Sequence, residues 1–226
     1  MIPLKDENPT ETFPFVTILF IVMNTAVFAY EMFLGETNIE PFVRTMAVVP
    51  VEIGRGLAVR EYPTLLTSLF LHGGLLHLLG NMLYLWIFGN NIEDALGHFR
   101  FILFYLLCGA LASVTHIVLN ASSNVPVIGA SGAISGVLGA YLILYPRARV
   151  LTLVLLFFFI RIIRLPAFVI IGMWIVFQIV QGLPSLAADS AGGGVAWFAH
   201  IGGFFAGIAL LPLFIRPRQV KRLEHV

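Results

Sequence analysis

Four side chains able to move protons or donate hydrogen bonds stand in otherwise apolar sequence: His77 and Asn81 in HLLGN, Ser131 in GASG, and His200 in AHIGG. A serine hydroxyl becomes a nucleophile when a base within hydrogen-bond reach takes its proton, and histidine is the usual base. Ser131 and His200 are the candidates for those roles. His77 and Asn81 are four residues apart, so on a helix they share one face and can point at the same neighbour. Such donors suit an oxygen on which negative charge develops. The chemistry these residue types support together is acyl transfer, provided the fold brings them into contact.

The elements that must do so are membrane helices. The chain has 226 residues, of which 59% are hydrophobic and 11% charged, against about 25% charged in a soluble domain. Its mean hydropathy is +0.95. Long apolar runs separate the charges, which marks an integral membrane protein. A span takes about 20 helical residues, and five segments qualify: Phe13 to Leu34, Leu75 to Phe88 with an N-terminal extension, Phe99 to Leu119, Val127 to Tyr145, and Val195 to Ile215. Between Val150 and Leu183 the apolar sequence is broken by Arg161, Arg164 and Pro166. Val150 to Ile160, about 16 Å as a helix, is too short to cross and is expected to lie along the interface. Leu165 to Val180 is then the fifth of six spans. The reading is an all-α polytopic membrane protein, one domain over residues 1–226, with short tails at about 1–12 and 216–226.

Charge orients the bundle. Six spans put Lys5, Arg100, Arg147, Arg149, Arg161, Arg164, Arg216, Arg218, Lys221 and Arg222 on one side, ten of the thirteen basic residues. The other side keeps Arg44, Arg55 and Arg60 in the long first loop. By the positive-inside rule both termini are cytoplasmic. Spans two, four and six then descend from the outer face; Asn81, Ser131 and His200 fall roughly 7–11 Å down at 1.5 Å per residue, with His77 one turn above Asn81 on the same face. Polar groups at that depth are costly, so their matched placement points to function. Gly132, Gly136 and Gly139 in the fourth span, and Gly203 and Gly207 in the sixth, offer narrow faces on which two helices can pack closely. That packing would bring His200 to Ser131. Pro126 and Gly129 place Ser131 near a helix N-terminus, where free N–H groups favour an oxyanion. The stretch YPTLLTSLFLHGG, closing the first loop, reads as a short element dipping into the outer leaflet ahead of the second span.

Plainer readings exist for each residue. Serine and glycine in membrane helices usually serve packing, and Ser135 is assigned to that. His72 and His116 are read as loop or packing residues. A zinc site from His72, His77 and His200 lacks both H-E-x-x-H and a nearby acidic ligand. The soluble-hydrolase elbow G-x-S-x-G fails because Ala133 holds its last position. The single cysteine, Cys108, permits neither a disulfide nor a cysteine metal cluster. A net charge of +1 gives no argument for nucleic acid. The first twelve residues, MIPLKDENPTET, resemble neither a signal peptide nor a transit peptide.

Taken together the motifs resemble the rhomboid family of intramembrane serine proteases. GASG (Gly129 to Gly132) is similar to the family's G-x-S-G nucleophile motif, AHIGGFFAG (Ala199 to Gly207) to its histidine motif, and HLLGN (His77 to Asn81) to its H-x-x-x-N motif. GNNIEDALGHFRF (Gly89 to Phe101) resembles its glycine and glutamate turn, and the likeness runs from about Phe13 to Ile215. The resemblance implies a six-helix core and a Ser131–His200 dyad without an acidic third member. It implies an oxyanion hole from Asn81, His77 and the Ser131 N–H, and no cofactor or metal. Its substrates would be transmembrane-helix proteins in the lipid bilayer, cut near the outer end of the helix. The short N-terminal segment fits a bacterial plasma membrane. The fifth span and the loop around Pro184 to Gly194 would be a mobile access region. Two departures stand out. Ser135 occupies a position, four after the nucleophile, where well-known members carry an aromatic against which the histidine packs. A Trp-Arg pair of the first loop is absent, with only Arg60 in AVREYP nearby.

Two other functions compete: an inactive rhomboid-like protein that binds transmembrane helices of clients, and a transporter or channel. Loss of the serine or histidine would mark the first, and both are present. The second predicts a polar path through both leaflets, which GAYLILY and AGIALLPLF in the inner halves of spans four and six do not offer. No inverted repeat is evident either.

Overall fold

A computed structural model describes residues 1–54, 62–156, 159–185 and 195–216. Arg55, Arg60, Arg218, Lys221 and Arg222, which enter the side assignment, lie outside these residues, as does the access loop from residue 186 to 194. In chain order the elements are β1 (Ile2–Asp6), α1 (Phe15–Met46), α2 (Pro50–Gly54), α3 (Thr64–Thr67) with a 3₁₀ turn (Ser68–Phe70), α4 (Leu75–Tyr84), a π turn (Leu85–Gly89), α5 (Asn90–Leu96), α6 (His98–Leu119), α7 (Ser131–Leu144), β2 (Arg149–Leu156), β3 (Phe159–Pro166), α8 (Ala167–Ser185) and α9 (Trp197–Phe214).

Among the described residues four helices are long and apolar enough to cross a membrane: Phe15–Met46, His98–Leu119, Ala167–Pro184 and Trp197–Phe214. The pair Thr64–Phe70 and Leu75–Leu96, bent by 98°, makes a fifth if taken as one span. Its bend falls at the two glycines expected to end the short element before the second span. α1 breaks at Gly35, whose φ of 67° suits a residue without Cβ. Its apolar first part, 15–34, matches the predicted first span. The N-terminus of α1 has no cap of its own, since Pro14 precedes it without a side-chain bond. Glu93, fully buried in α5, fills that role: it accepts Val16 N–H at 2.9 Å, Thr17 N–H at 2.7 Å and Thr17 Oγ1–H at 2.7 Å. Asp94 beside it accepts the N–H groups of Glu11 and Thr12 and the Thr12 hydroxyl. This acidic pair ties α1 to α5.

At the centre is α7, with eleven of its fourteen residues buried. A helix covered on all sides belongs to the middle of a bundle. It packs against α9 through the predicted small faces: a Cβ on Gly203 would collide with the Gly132 carbonyl oxygen, and one on Gly207 with that of Gly136. α6 closes the other side, with Cys108 and Ala112 against Gly136 and Gly132.

Two expectations are corrected. The segment Val150 to Ile160 does not form an interfacial helix. It forms β2 and the start of β3, an antiparallel hairpin in register from Arg149 opposite Pro166 to Leu156 opposite Phe159. Val150, Thr152 and Val154 are buried while Leu155 is exposed, an alternation of period two. The β-branched Val150, Thr152, Val154, Ile160, Ile162 and Ile163 favour it. The length argument had excluded a crossing helix without considering a strand. Secondly, the fold is mostly helical but not all-α, because residues 2–6 of the supposed tail add β1 to β2 as a third strand. Asp6 of β1 is buried and accepts the Tyr141 hydroxyl of α7 at 2.9 Å.

Candidate active site

Ser131 is the first residue of α7. The four residues before it do not continue the helix, as a span from Val127 would. Val127 pairs with Val48 through two backbone bonds of 2.7 and 3.2 Å, and Gly129 N–H donates to the Ser68 carbonyl at 2.9 Å. Gly129 has φ 119°, a conformation closed to most side chains. The chain therefore arrives extended and turns into α7 at the serine, whose N–H and those just after it have no helical acceptor.

His200 lies one turn into α9, and its Nε2 is 2.7 Å from Ser131 Oγ. Its other nitrogen, Nδ1, is 2.7 Å from Oε1 of Gln178 on α8. A carbonyl oxygen can only accept, so Nδ1 carries the proton and Nε2 is free to accept the Ser131 O–H. The ring is held by two tryptophans, Trp174 at 5.9 Å and 38° and Trp197 at 6.4 Å and 89°. Both rings belong to α8 and α9, whereas Ser135 of α7 brings no aromatic to His200. Ser135 itself is buried and donates to the Ser131 carbonyl at 2.6 Å, bonding within its own helix.

His77 and Asn81 of α4 sit over the loop that delivers the serine. A Cβ on Gly129 would lie 2.8 Å from His77 Cε1 and Nε2 and 3.6 Å from Asn81 Nδ2. His77 Nδ1 accepts the Gly73 N–H at 3.4 Å, which leaves the proton on Nε2, on the Gly129 side. All four predicted residues line one cavity of about 950 Å³, together with His116 and Trp174. Among the described residues no three His, Cys, Asp or Glu side chains form a group that could hold a metal ion.

Three participants were passed over in the sequence. Gln178, 4% exposed, orients His200. His72 lies in the loop before α4 but is buried there, with Nε2 3.0 Å from Asn81 Nδ2 and its ring 5.1 Å from that of His77. Glu31 of α1 is buried and accepts the His72 backbone N–H at 3.2 and 3.3 Å. A signal existed for two of them: Glu31 is a single acid in the apolar first span, and Gln178 an amide within MWIVFQIV.

A family model described as the Rhomboid domain matches residues 59–217. Rhomboid protease GluP of Bacillus subtilis (strain 168) is 36% identical over 208 residues, covering 91% of this chain and 36% of the relative. Rhomboid protein 1, mitochondrial, of Saccharomyces cerevisiae is 34% identical over 165 residues, 67% of this chain and 43% of the relative. Presenilin-associated rhomboid-like protein, mitochondrial, of Mus musculus is 32% identical over 152 residues, 64% of this chain and 36% of the relative. The chain thus spans less than half the length of these curated relatives.

Proposed function

Because the chain belongs to the rhomboid family, whose members are mostly intramembrane serine proteases, we propose that it is a serine endopeptidase that cuts transmembrane segments of other membrane proteins near their outer end. The observation that carries this reading is the 2.7 Å contact of His200 Nε2 with Ser131 Oγ. In the proposed reaction His200 takes the Ser131 proton as Oγ bonds to the peptide carbonyl carbon. The oxyanion receives the Ser131 N–H, with His77 and Asn81 as side-chain donors. The imidazolium returns the proton to the leaving nitrogen as the C–N bond breaks. Water then opens the acyl-enzyme by the same transfers. No cofactor enters any step.

The same proposal holds that α7 counts as a sixth, short span and that the chain is one membrane domain with cytoplasmic termini, in a bacterial plasma membrane. The partners are the bilayer and single-span substrates, not nucleic acid. The test is cleavage of single-span substrates by purified protein in detergent, alongside Ser131→Ala and His200→Ala. Cleavage by the wild type and loss in both variants, with folding kept, is the expected result. Absence of cleavage across a substrate panel, with substrate still co-purifying, would replace this reading by that of an inactive binder of client helices.

A further inference from the structure

Ser131 and His200 sit on α7 and α9, two helices locked together by backbone-to-backbone glycine contacts. That packing fixes where the His200 backbone is. It does not fix which ring nitrogen carries the proton, nor how the ring is turned about its side-chain bonds. Both are decided from a third helix, α8: Gln178 binds Nδ1 and Trp174, four residues earlier on the same face, lies against the ring.

We propose that Gln178 is the positioning residue of this site, a neutral third member that holds His200 in the Nδ1–H tautomer with Nε2 aimed at Ser131. The proposal rests on the peptidase reading for its kinetic consequence, but not for its structural one. The geometry meets each requirement of the role. Gln178 is 4% exposed, so water does not compete for Nδ1. Its contact is as short as the Ser131 contact, 2.7 Å, so the two bonds together determine the ring plane. An amide also suits the surroundings. A carboxylate at this buried position would carry a full charge within an apolar helix, at a desolvation cost that the amide avoids. When the ring becomes cationic, the bond from Nδ1–H to Oε1 becomes charge-assisted and strengthens. Gln178 therefore favours the protonated intermediate over the resting imidazole without itself being charged. Ser135 cannot do this, because its hydroxyl is spent on the Ser131 carbonyl.

The test compares Gln178→Leu, which removes the acceptor at similar volume, with Gln178→Glu, which keeps an oxygen at the same reach. Two readouts are taken on each. The first is the ¹⁵N spectrum of histidine-labelled protein in detergent, with His200 assigned by difference from His200→Ala. Wild type and Gln178→Glu should show Nδ1 protonated, and Gln178→Leu should show a mixture of tautomers. The second is steady-state cleavage: Gln178→Leu should lower kcat about 10- to 100-fold, the range over which orienting partners of functional imidazoles act, at unchanged KM. Gln178→Glu should recover most of it. If Gln178→Leu keeps the wild-type tautomer, or keeps the wild-type kcat in an active enzyme, the assignment is overturned. If no variant cleaves anything and the tautomer still follows residue 178, the positioning role stands and the peptidase reading falls.

Discussion

Replacing Gly207 by alanine adds one methyl group at the tightest point between α7 and α9. A Cβ built there lies 2.5 Å from Gly136 Cα and 2.6 Å from the Gly136 carbonyl carbon, and closer still to its oxygen. Carbon atoms in contact rest at about 3.5–4.0 Å, so the helix backbones must part by about 1 Å at this level. No flexible side chain is available to yield, because both partners are backbone. Overpacking of this kind costs about 1–3 kcal/mol. The same displacement reaches the site, since Gly207 lies two turns along α9 from His200 and Gly136 lies in the second turn of α7 after Ser131. A 1 Å misplacement of reacting groups can cost about 100-fold in rate. Gly207→Ala should therefore lower the unfolding midpoint in detergent and reduce cleavage about 100-fold. Gly172→Ala on α8 is the control: a Cβ there meets nothing within 4 Å. It should be neutral, or stabilising by up to about 1 kcal/mol from helix propensity. If Gly207→Ala matches wild type in both assays, close glycine packing is not what sets the distance between serine and histidine.

Two further predictions concern the supports of the bundle. Glu93→Gln replaces one accepting oxygen by an amide N–H₂ facing Val16, Thr17 and His98, where only acceptors serve. With one or two buried donors left unpaired at about 1–3 kcal/mol each, it should destabilise by about 2–4 kcal/mol, read as a lower denaturation midpoint. Asp6 carries the pH dependence of the sheet. Burial raises its carboxyl from 3.8 to about 6, against the opposing Tyr141 hydrogen bond. Between about pH 4 and 6 the folded chain thus holds a proton that the unfolded chain has released. Stability from this residue is full below pH 4 and is lost as pH rises through 6, by up to about 3 kcal/mol. Asp6→Asn should remove that slope from the denaturation midpoint measured between pH 4 and 7. An unchanged slope would refute the assignment to Asp6.

The features legible in the sequence were those with a period or a conspicuous cost. Polar residues at matched positions in apolar segments identified His77, Asn81, Ser131 and His200, and all four line one cavity. Glycines at three- and four-residue spacing identified the α7–α9 contact. What escaped was set by partners distant in sequence. Gln178 is one polar residue in a helix with nothing nearby to suggest a role, and its partner is 22 residues away. His72 is a loop residue, as Gly73 and Gly74 after it suggest, but its contact with Asn81 depends on the 98° bend there, which the sequence does not show. β1 was unreadable from residues 2–6, since its pairing partner lies about 150 residues along the chain. The hairpin of β2 and β3 was misread for a different reason. An apolar run of that length has no helix-period signal, and the expectation that membrane segments are helical left its β-branched content unread.

The shortness of α7 connects the fold to the chemistry. Its 14 residues reach about 21 Å, well under the roughly 30 Å of a hydrocarbon core. Residues 127–130, which could have lengthened it, form a β-bridge, a positive-φ glycine and a turn instead. Non-helical backbone at membrane depth is tolerated where protein buries it or where it lines an aqueous cavity, and here it is bonded to neighbouring segments and borders a cavity. Val127 and Gly129 are bonded to Val48 and Ser68, while Val127, Ile128 and Ser131 line the 950 Å³ space under His77 and Asn81. A serine inside a continuous helix would have its own N–H committed to the residue four before it. Starting the helix at Ser131 frees that donor and places it beside the hydroxyl. In the proposed reaction, hydrolysis also needs water at the acyl-enzyme, and the same cavity has room for it. On the proposed function, the fold gives up helix length where the reaction would require an unpaired N–H and access to water.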